Sequence, residues 1–293
     1  MYLLIFFLIF VMLKFLCFGS GSSGNCYYLS SGQDAIIIDA GVGIRSLKKN
    51  FIKYGINHKR IKAILVTHDH LDHTRSVGTL SRLLDVKVYS SAPVLSKLHI
   101  SPFSKLDLNQ CVSVEEEISF NIGNLVITPF HIPHDSAENY GYSITYDDCK
   151  FTLMTDVGML TEQIRKYIKI SNYLVLEADY DVDRLAVNPR YDKKLKERIK
   201  SVFGHLSNIQ TAEILVDNYH TGLKSVWLCH LSEENNSPEL AKHTVKDILS
   251  ENGIFAGKDF SLNVLSRKTP SGPWLISADE IIEDLELTFD FDY

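Results

Sequence analysis

The segment THDHLDH at residues 67–73 constrains the fold of this chain more than any other sequence feature. It places four potential metal ligands in one short stretch: His68, His70, Asp72 and His73. A single histidine is usually a surface residue or a satisfied core residue. Four ligands this close together instead predict a metal site, because imidazole nitrogens and a carboxylate oxygen suit zinc, iron or manganese. The fold must therefore bring further ligands to this turn from distant parts of the sequence.

Three further candidate ligands lie at or just beyond the ends of predicted strands: His134, Asp156 and His230. The predicted strands are 35–39, 62–68, 86–90, 125–131, 140–146, 150–156, 172–179 and 224–230. Helices are predicted around 44–51, over 190–200 and 208–218, and from Pro238 to about residue 251. Strands that alternate with helices, with one hairpin formed by 140–146 and 150–156, indicate sheets covered by helices. We expect the ligands to converge on loops at the strand ends, which a rigid sheet positions.

We predict two groups of ligands that share one bridging carboxylate. The first group is His68, His70 and His134, the second is Asp72, His73 and His230, and the bridge is Asp156. Two divalent ions about 3.5–4 Å apart bind a water between them, lower its pKa toward about 7 and stabilise an in-line displacement. Zinc or manganese fits these ligands, and iron is possible. His131 is excluded, because it lies on a different face of an extended segment from His134.

The charge of the chain is unevenly distributed. The net charge is −6, but the tail 279–293 contains seven acidic residues and no Lys or Arg. The rest of the chain is therefore close to neutral, so charge does not exclude DNA as a partner. The five cysteines form no CxxC pair, which favours reduced thiols and a cytoplasmic protein. The sequence does not identify protein partners.

Residues 1–13 form an apolar run that ends before Lys14. A membrane span needs about 20 residues. The run also lacks the basic flank and the small-residue cleavage site of a signal peptide. Three interpretations stay open at this point: a membrane anchor, an extra buried segment, or translated sequence upstream of a true start at Met12.

The ligand pattern resembles the metallo-β-lactamase superfamily: HDHLDH (68–73), an isolated histidine, an aspartate and a final histidine. Three segments are similar to its WalJ/YycJ (VicX) branch: GSGSSGN (19–25), GHLSN (204–208) and HLSEENN (230–236). The resemblance implies an α/β fold, namely an αββα four-layer sandwich with a dinuclear site at the strand ends. It also implies a phosphodiesterase that degrades double-stranded DNA from 5′ ends by means of a metal-bound hydroxide.

Two other classes of function remain as alternatives. A small-molecule hydrolase of the thioesterase or lactonase type would use the same metal centre. A non-catalytic regulatory or membrane-tethered protein would not need an intact ligand set, which argues against it. An open basic groove beside the metals favours the DNA enzyme, and a closed apolar pocket favours the small-molecule hydrolase.

The resemblance also implies residues that act on the substrate. Asp72 would orient the attacking hydroxide, and His205 would bind the phosphate or protonate the leaving oxygen. The candidates for substrate binding are Ser22, Ser23, Asn25, Tyr180, Ser207 and Asn208. The loop 19–25 would act as a nest of backbone amides, and residues 207–208 as an anion-binding helix N-terminus. The simpler alternatives are a turn, a helix cap and, for Tyr180, where the branch often has histidine, plain packing.

The predicted helix 190–200 carries six basic and two acidic residues. A solvated helix face is the simpler explanation of such a charge run. The alternative is that Lys193, Lys194 and Lys196 contact DNA phosphates, which would give salt-sensitive binding without sequence preference.

The branch begins a few residues before its Gly/Ser-rich loop, and Met12 lies in that position. The resemblance therefore favours a misassigned start. Residues 1–11 are then an upstream hydrophobic extension, and residues 12–293 form one domain with an acidic tail and no stable membrane association. We predict that a variant beginning at Met12 is soluble and as active as the full chain, as measured by soluble yield and specific activity. Loss of folding in that variant, or native protein in the membrane fraction, would contradict this prediction.

Overall fold

The computed structural model describes residues 13–276 and the backbone of residues 281–283. The predicted extension 1–11 lies outside the described residues, as does the acidic tail apart from that short backbone segment. The strands are β1 (Leu13–Gly19), β2 (Cys26–Ser30), β3 (Ala35–Ile38), β4 (Ile61–Leu65), β5 (Lys87–Ser90), β6 (Cys111–Ser113), β7 (Phe120–Ile122), β8 (Leu125–His131), β9 (Tyr140–Tyr146), β10 (Cys149–Met154), β11 (Tyr173–Glu177), β12 (Ser225–Cys229), β13 (Ser261–Val264), β14 (Ser271–Ile276) and β15 (Ile281–Glu283). The α-helices are α1 (Ile44–Lys53), α2 (Leu71–Thr74), α3 (Val77–Leu84), α4 (Ala92–Ile100), α5 (Glu162–Ile170), α6 (Val182–Val187), α7 (Lys193–Ile199), α8 (Asn208–Asn218) and α9 (Pro238–Glu251).

The strands form two mixed sheets. Sheet 1 has the order β15-β14-β1-β2-β3-β4-β5-β6, and sheet 2 has the order β13-β12-β11-β10-β9-β8-β7. Strands β3 to β6 are parallel to one another, and so are strands β10 to β13. The carboxyl ends of neighbouring parallel strands lie at one edge of a sheet, where ligand sites usually form.

Apolar side chains fill the space between the sheets and both outer layers. Phe15 of sheet 1 packs on Phe151 and Trp227 of sheet 2, with ring centroids 4.9 and 5.0 Å apart. Helices α1, α3 and α4 cover the outer face of sheet 1, and α5, α8 and α9 cover that of sheet 2. The predicted αββα four-layer sandwich is therefore confirmed. Between residues 13 and 276, no helix is long and apolar enough to cross a membrane.

The predicted strands are correct in position but too long at the ends that carry ligands. Strands β4, β10 and β12 end at Leu65, Met154 and Cys229, before the predicted ligands. The physical reason is that the ligand residues leave the extended conformation: Asp156 has φ 57° and His230 has φ 56°. The hairpin β9–β10 is confirmed, as is the capping box that starts α8.

Strands β1, β2, β6, β7 and β13 to β15 were not predicted. Every residue of β2 and nearly every residue of β1 is buried. Neither strand therefore shows the alternation of apolar and polar residues that reveals a half-exposed strand. Helix α7 is shorter than predicted, because the Asp192 side chain caps its first turn by accepting a hydrogen bond from the amide of Leu195.

Candidate metal centre

The loop after β4 and the short helix α2 place four of the candidate ligands in the turn, the first of them His68. His70 lies directly before α2, which then carries Asp72 and His73 on one turn. The turn lies against the segment after β3 at Gly41, where a Cβ atom would come within 1.5 Å of the Asp72 carbonyl oxygen. Only glycine permits this close approach, so Gly41 fixes how deeply the ligand turn packs into the fold.

The described residues bring all seven predicted ligands together. Ligand atoms of His68, His70 and His134 lie within 4.8 Å of one another, and so do those of Asp72, His73 and His230. Nε2 of His134 is 3.4 Å from Nδ1 of His70. In the other group, Nε2 of His73 and Nε2 of His230 are each 3.6 Å from Oδ2 of Asp72.

The Asp156 carboxylate lies between the two groups. Its Oδ2 is 3.2 Å from Nε2 of His73, and its Oδ1 is 3.6 Å from Nε2 of both His134 and His230. One carboxylate therefore lies within 3.6 Å of histidines from both groups. His131 is the last residue of β8 and belongs to neither group.

Charge and burial both favour a divalent cation at this position. Nε2 of His68 is buried and has no hydrogen-bond partner, a rare state unless another species binds the atom. Burial lowers the pKa of His68 well below its ordinary value, which keeps the imidazole in the neutral form that binds metal. Against the effect of burial, Asp156, Asp39 and Asp72 raise the pKa of His73 to about 10, so their negative field favours a cation there. The buried nitrogen and the carboxylate–imidazole donor set fit divalent metal binding.

Asp39, at the end of β3, orients one ligand and was missed by sequence reasoning. It is fully buried and accepts hydrogen bonds from Nδ1 of His73 at 2.7 Å and from the amide and hydroxyl of Thr67, each at 2.9 Å. A carboxylate on the far nitrogen of a histidine fixes its tautomer and raises its basicity as a ligand. The available signal was an acid directly after the apolar run AIII (35–38), in the same kind of position as the ligands.

Glu177, at the end of β11, is the second missed residue. It is fully buried, and its carboxylate accepts hydrogen bonds from Nδ1 of His205 at 2.9 Å and from the amides of Val157 and Leu206 at 2.8 and 3.0 Å. Nδ1 of His230 lies 3.2 Å from the same carboxylate. Burial raises the pKa of Glu177, but the His205 charge and its hydrogen bond outweigh this and hold the pKa at about 2. The carboxylate therefore positions a ligand and the predicted catalytic histidine together.

We predict that Glu177→Gln lowers metal affinity or activity about 10- to 100-fold, the range for partners of metal ligands. Glutamine keeps the length of the side chain but puts an N–H group among converging donors, so favourable contacts become repulsive. Metal content and specific activity measure the effect. Glu213→Gln, on the exposed side of α8, is the matched control. Identical metal content and activity in the two variants would contradict a positioning role.

His205 lies beside the ligands, and one of its ring nitrogens is already hydrogen-bonded. Its ring stacks on His230 with centroids 5.3 Å apart and an interplanar angle of 18°, and its Nδ1 is bonded to Glu177. Burial opposes the charged form, but Glu177 and Asp179 raise the pKa of His205 to about 9. The side chain is 20% exposed, and within the described residues no hydrogen bond involves its other ring nitrogen, Nε2.

The predicted substrate-binding residues divide between exposed and buried positions. Ser22 and Ser23 are exposed at the turn after β1. Asn25 is fully buried, and its Nδ2 lies 2.8 Å from Nε2 of His73. Asn25 therefore contacts the second ligand group, and direct substrate contact by its side chain stays a prediction that burial does not support. These contacts hold the loop 19–25 in place against the second ligand group.

Most of the groups predicted to bind an anion at the N-terminus of α8 form hydrogen bonds within the protein. Ser207 accepts the hydrogen bond of the Gln210 amide, and the Tyr180 carbonyl accepts that of the Asn208 amide. The Asn208 side chain is buried and bonded to Asn236. Tyr180 is also buried, and burial raises its pKa to about 12. These contacts stabilise the loop around His205, and substrate binding by Tyr180, Ser207 and Asn208 stays a prediction.

Comparisons with known proteins agree with this geometry. A model of the beta-lactamase superfamily domain matches residues 34–230. Exodeoxyribonuclease YycJ of Bacillus anthracis is 31% identical over 260 residues, which cover 88% of this chain and 97% of YycJ. Exodeoxyribonuclease WalJ of Streptococcus pneumoniae serotype 2 (strain D39) is 31% identical over 250 residues, which cover 85% of this chain and 93% of WalJ. The crystal structure of Zn²⁺-bound PqqB from Methylobacterium extorquens has a TM-score of 0.68 at 15% identity and covers 88% of this chain and 99% of PqqB, which shows the shared fold.

The four-layer sandwich and the histidine–aspartate clusters at its strand ends define a metal-dependent hydrolase. The family model matches more than half of the chain, and two relatives match along nearly their whole length. The chain belongs to the metallo-β-lactamase superfamily and, within it, to the WalJ/YycJ branch. The family predicted from the sequence motifs is therefore confirmed.

Proposed function

We propose that this protein is an exodeoxyribonuclease that hydrolyses phosphodiester bonds of double-stranded DNA from 5′ ends, in the cytoplasm. The observation that carries the proposal is the likeness to two exodeoxyribonucleases along 85% or more of the chain, combined with the convergence of seven ligands. We further propose two divalent ions, zinc or manganese with iron possible, bound by the two groups and bridged by Asp156.

The residues around the ligands have distinct roles in this proposal. When bound, the divalent ions supply an activated water and neutralise the charge that develops on the phosphate. Asp72, whose side chain is 22% exposed, borders the opening of the site and orients the attacking water as a ligand or nearby base. Glu177 fixes Nδ1 of His205, so Nε2 is directed to give a proton to the leaving oxygen.

The surface beside the site supports a polyanionic substrate. Arg198 of α7 forms an ion pair with Asp135, the residue that follows the ligand His134. A cavity of about 430 Å³ on the same helix is lined by Lys193, Lys196 and Lys200, together with Ala186 and Glu197. Arg198 connects this helix to the ligand loop, and the lysines of the helix add positive charge. A basic helix of this kind favours a DNA backbone, whose affinity for it is salt-sensitive and independent of sequence.

The alternative is a small-molecule hydrolase on the same metal centre. An apolar groove of about 720 Å³ is present, lined in part by Phe51, Ile52 and Leu83. It also includes His58, which lies before the start of β4, whereas the ligand turn follows the end of that strand. This groove is at the opposite end of sheet 1 from the ligands and therefore does not favour the alternative.

One assay tests the proposal. The protein, supplied with Zn²⁺ or Mn²⁺, is incubated with 5′-labelled linear duplex DNA, single-stranded DNA, RNA and a panel of thioesters and lactones. We expect early release of labelled short products from the duplex and no cleavage of a closed circular duplex. Intact linear duplex with every metal, together with rapid turnover of a thioester or lactone, would overturn the proposal in favour of the small-molecule hydrolase.

A further inference from the structure

Arg267 lies at the active-site end of the sandwich, outside the part of the chain that the family model matches. It belongs to the segment between β13 and β14, which crosses from sheet 2 to sheet 1. The amide of Ser20 donates to the carbonyl of Ser266 at 3.1 Å, which joins this segment to the loop after β1. A Cβ atom on Gly21 would lie 3.0 Å from Cγ of Arg267 and 3.1 Å from the Leu231 carbonyl oxygen. The arginine stem therefore packs directly on the Gly/Ser-rich loop beside the ligand loop of β12.

The guanidinium of Arg267 is fixed in place, and it has no neutralising partner in the part of the chain that the structure describes. Its Nη1 donates to the carbonyl oxygen of Ser232, two residues after the ligand His230. Within residues 13–276 no carboxylate lies within ion-pair distance of it, whereas Arg198 is paired with Asp135 and Lys268 with Glu233. A planar guanidinium held this way has donors left over, and it recognises phosphate oxygens well.

The turn next to Arg267 offers further donors. The Gly24 amide is bonded to the Gly21 carbonyl, and the Gly21 amide to the Asn25 side chain. The amides and hydroxyls of the exposed residues Ser22 and Ser23 have no hydrogen-bond partner within the described part of the chain. Consecutive free amides in a turn form a concave site for anions.

This turn is connected to the metal ligands by short contacts. The amide of Asn25 donates to the Asp72 carbonyl oxygen at 2.7 Å, and Nδ2 of Asn25 lies 2.8 Å from Nε2 of His73. The donors therefore lie on the side of the second ligand group, whereas α7 borders the first group through Asp135 and His134. The two ligand groups therefore lie between α7 on one side and this turn on the other.

We propose that Arg267, with the backbone amides of Ser22 and Ser23, binds a backbone phosphate of DNA adjacent to the phosphate that is hydrolysed. The proposal rests on the proposed nuclease function, and it assigns a residue beyond the metal ligands and His205. Phosphate contacts of this kind fix the register of a nucleic acid on a protein without reading its sequence.

The experiment compares Arg267→Gln, Arg267→Lys and the control Lys268→Gln. Glutamine keeps a stem that packs on Gly21 and a donor for Ser232, so the fold is retained while the charge is lost. Lys268 is adjacent and exposed but already paired with Glu233. Binding of a fluorescent phosphorothioate duplex, whose backbone keeps its charge but is hydrolysed slowly, is followed by anisotropy with the divalent ion present, across a series of salt concentrations.

We expect Arg267→Gln to raise the Kd roughly tenfold or more, as for loss of a charged hydrogen bond. The slope of log K against log salt should fall by about one, the effect of removing one phosphate contact. Arg267→Lys should restore the slope, and Lys268→Gln should leave the slope unchanged. A wild-type slope in Arg267→Gln, or equal changes in Lys268→Gln, would overturn the subsite. Wild-type protein that cleaves no DNA with any metal would overturn the proposed function itself, so the two failures are distinguishable.

Discussion

Asp156→Asn is expected to lower the rate of DNA hydrolysis by about three orders of magnitude or more and to reduce the amount of bound metal. Its carboxylate reaches ligands of both groups, at 3.2 to 3.6 Å. Metal ions contribute several kcal/mol of transition-state stabilisation, and each 1.36 kcal/mol corresponds to about a tenfold change in rate. An asparagine cannot supply the negative charge that binds a second cation.

The substitution is chosen to preserve the fold. Asp156 has φ 57°, a conformation that asparagine adopts readily and alanine does not. Asp147→Asn is the matched control, because Asp147 has φ 48° in the turn before β10, at the other end of the strand that leads to Asp156. The measurements are metal content, thermal unfolding and initial rate. Near wild-type metal content and activity in Asp156→Asn would exclude the bridging role.

His205→Ala is expected to slow DNA hydrolysis about 10²- to 10⁴-fold, the usual contribution of a general acid, while the bound metal is retained. The histidine is not one of the seven predicted ligands, and its Nδ1 is occupied by Glu177. The surface variant His243→Ala on α9, whose side chain is 75% exposed, should behave as wild type.

A second substrate separates proton donation by His205 from simple packing against His230. A p-nitrophenyl phosphodiester has a good leaving group that needs little protonation, so the defect of His205→Ala should be much smaller with it than with DNA. An equal defect with both substrates would show that His205 acts only by supporting the ligand ring.

The ligand set illustrates what local sequence reveals. Histidines and aspartates at the ends of apolar runs were recognisable one by one, because a strand is marked by its composition and its end by the polar residue that follows. The tight HxHxDH spacing predicted a division into two groups. Each predicted triad lies together in the structure, and the other clusters there, such as His68, His73 and Asp156, cross that division. The positions of Asp39 and Glu177 carried the same local signal, but nothing in the sequence distinguished an orienting carboxylate from a ligand.

Roles that depend on burial could not be predicted in this way. Asn25 and Asn208 looked available to a substrate, yet both are buried and bonded within the protein. A polar side chain in a Gly/Ser-rich loop is exposed or buried according to what packs over it. For Asn25, what packs over it is the ligand turn 67–73, which lies more than forty positions away in the sequence.

The sequence by itself determined the fold family and a set of candidate ligands, since both depend on residue types at fixed spacing and on strands that composition makes recognisable. Only the tertiary structure decided which amides and carboxylates remain free to act. The Ser207 cap closes the helix terminus, Glu177 occupies one nitrogen of His205, and Arg267 is left without a carboxylate partner within residues 13–276. The physical reason is that many donors and acceptors form hydrogen bonds with segments far away in the chain. Which partner each group has depends on how those segments pack together.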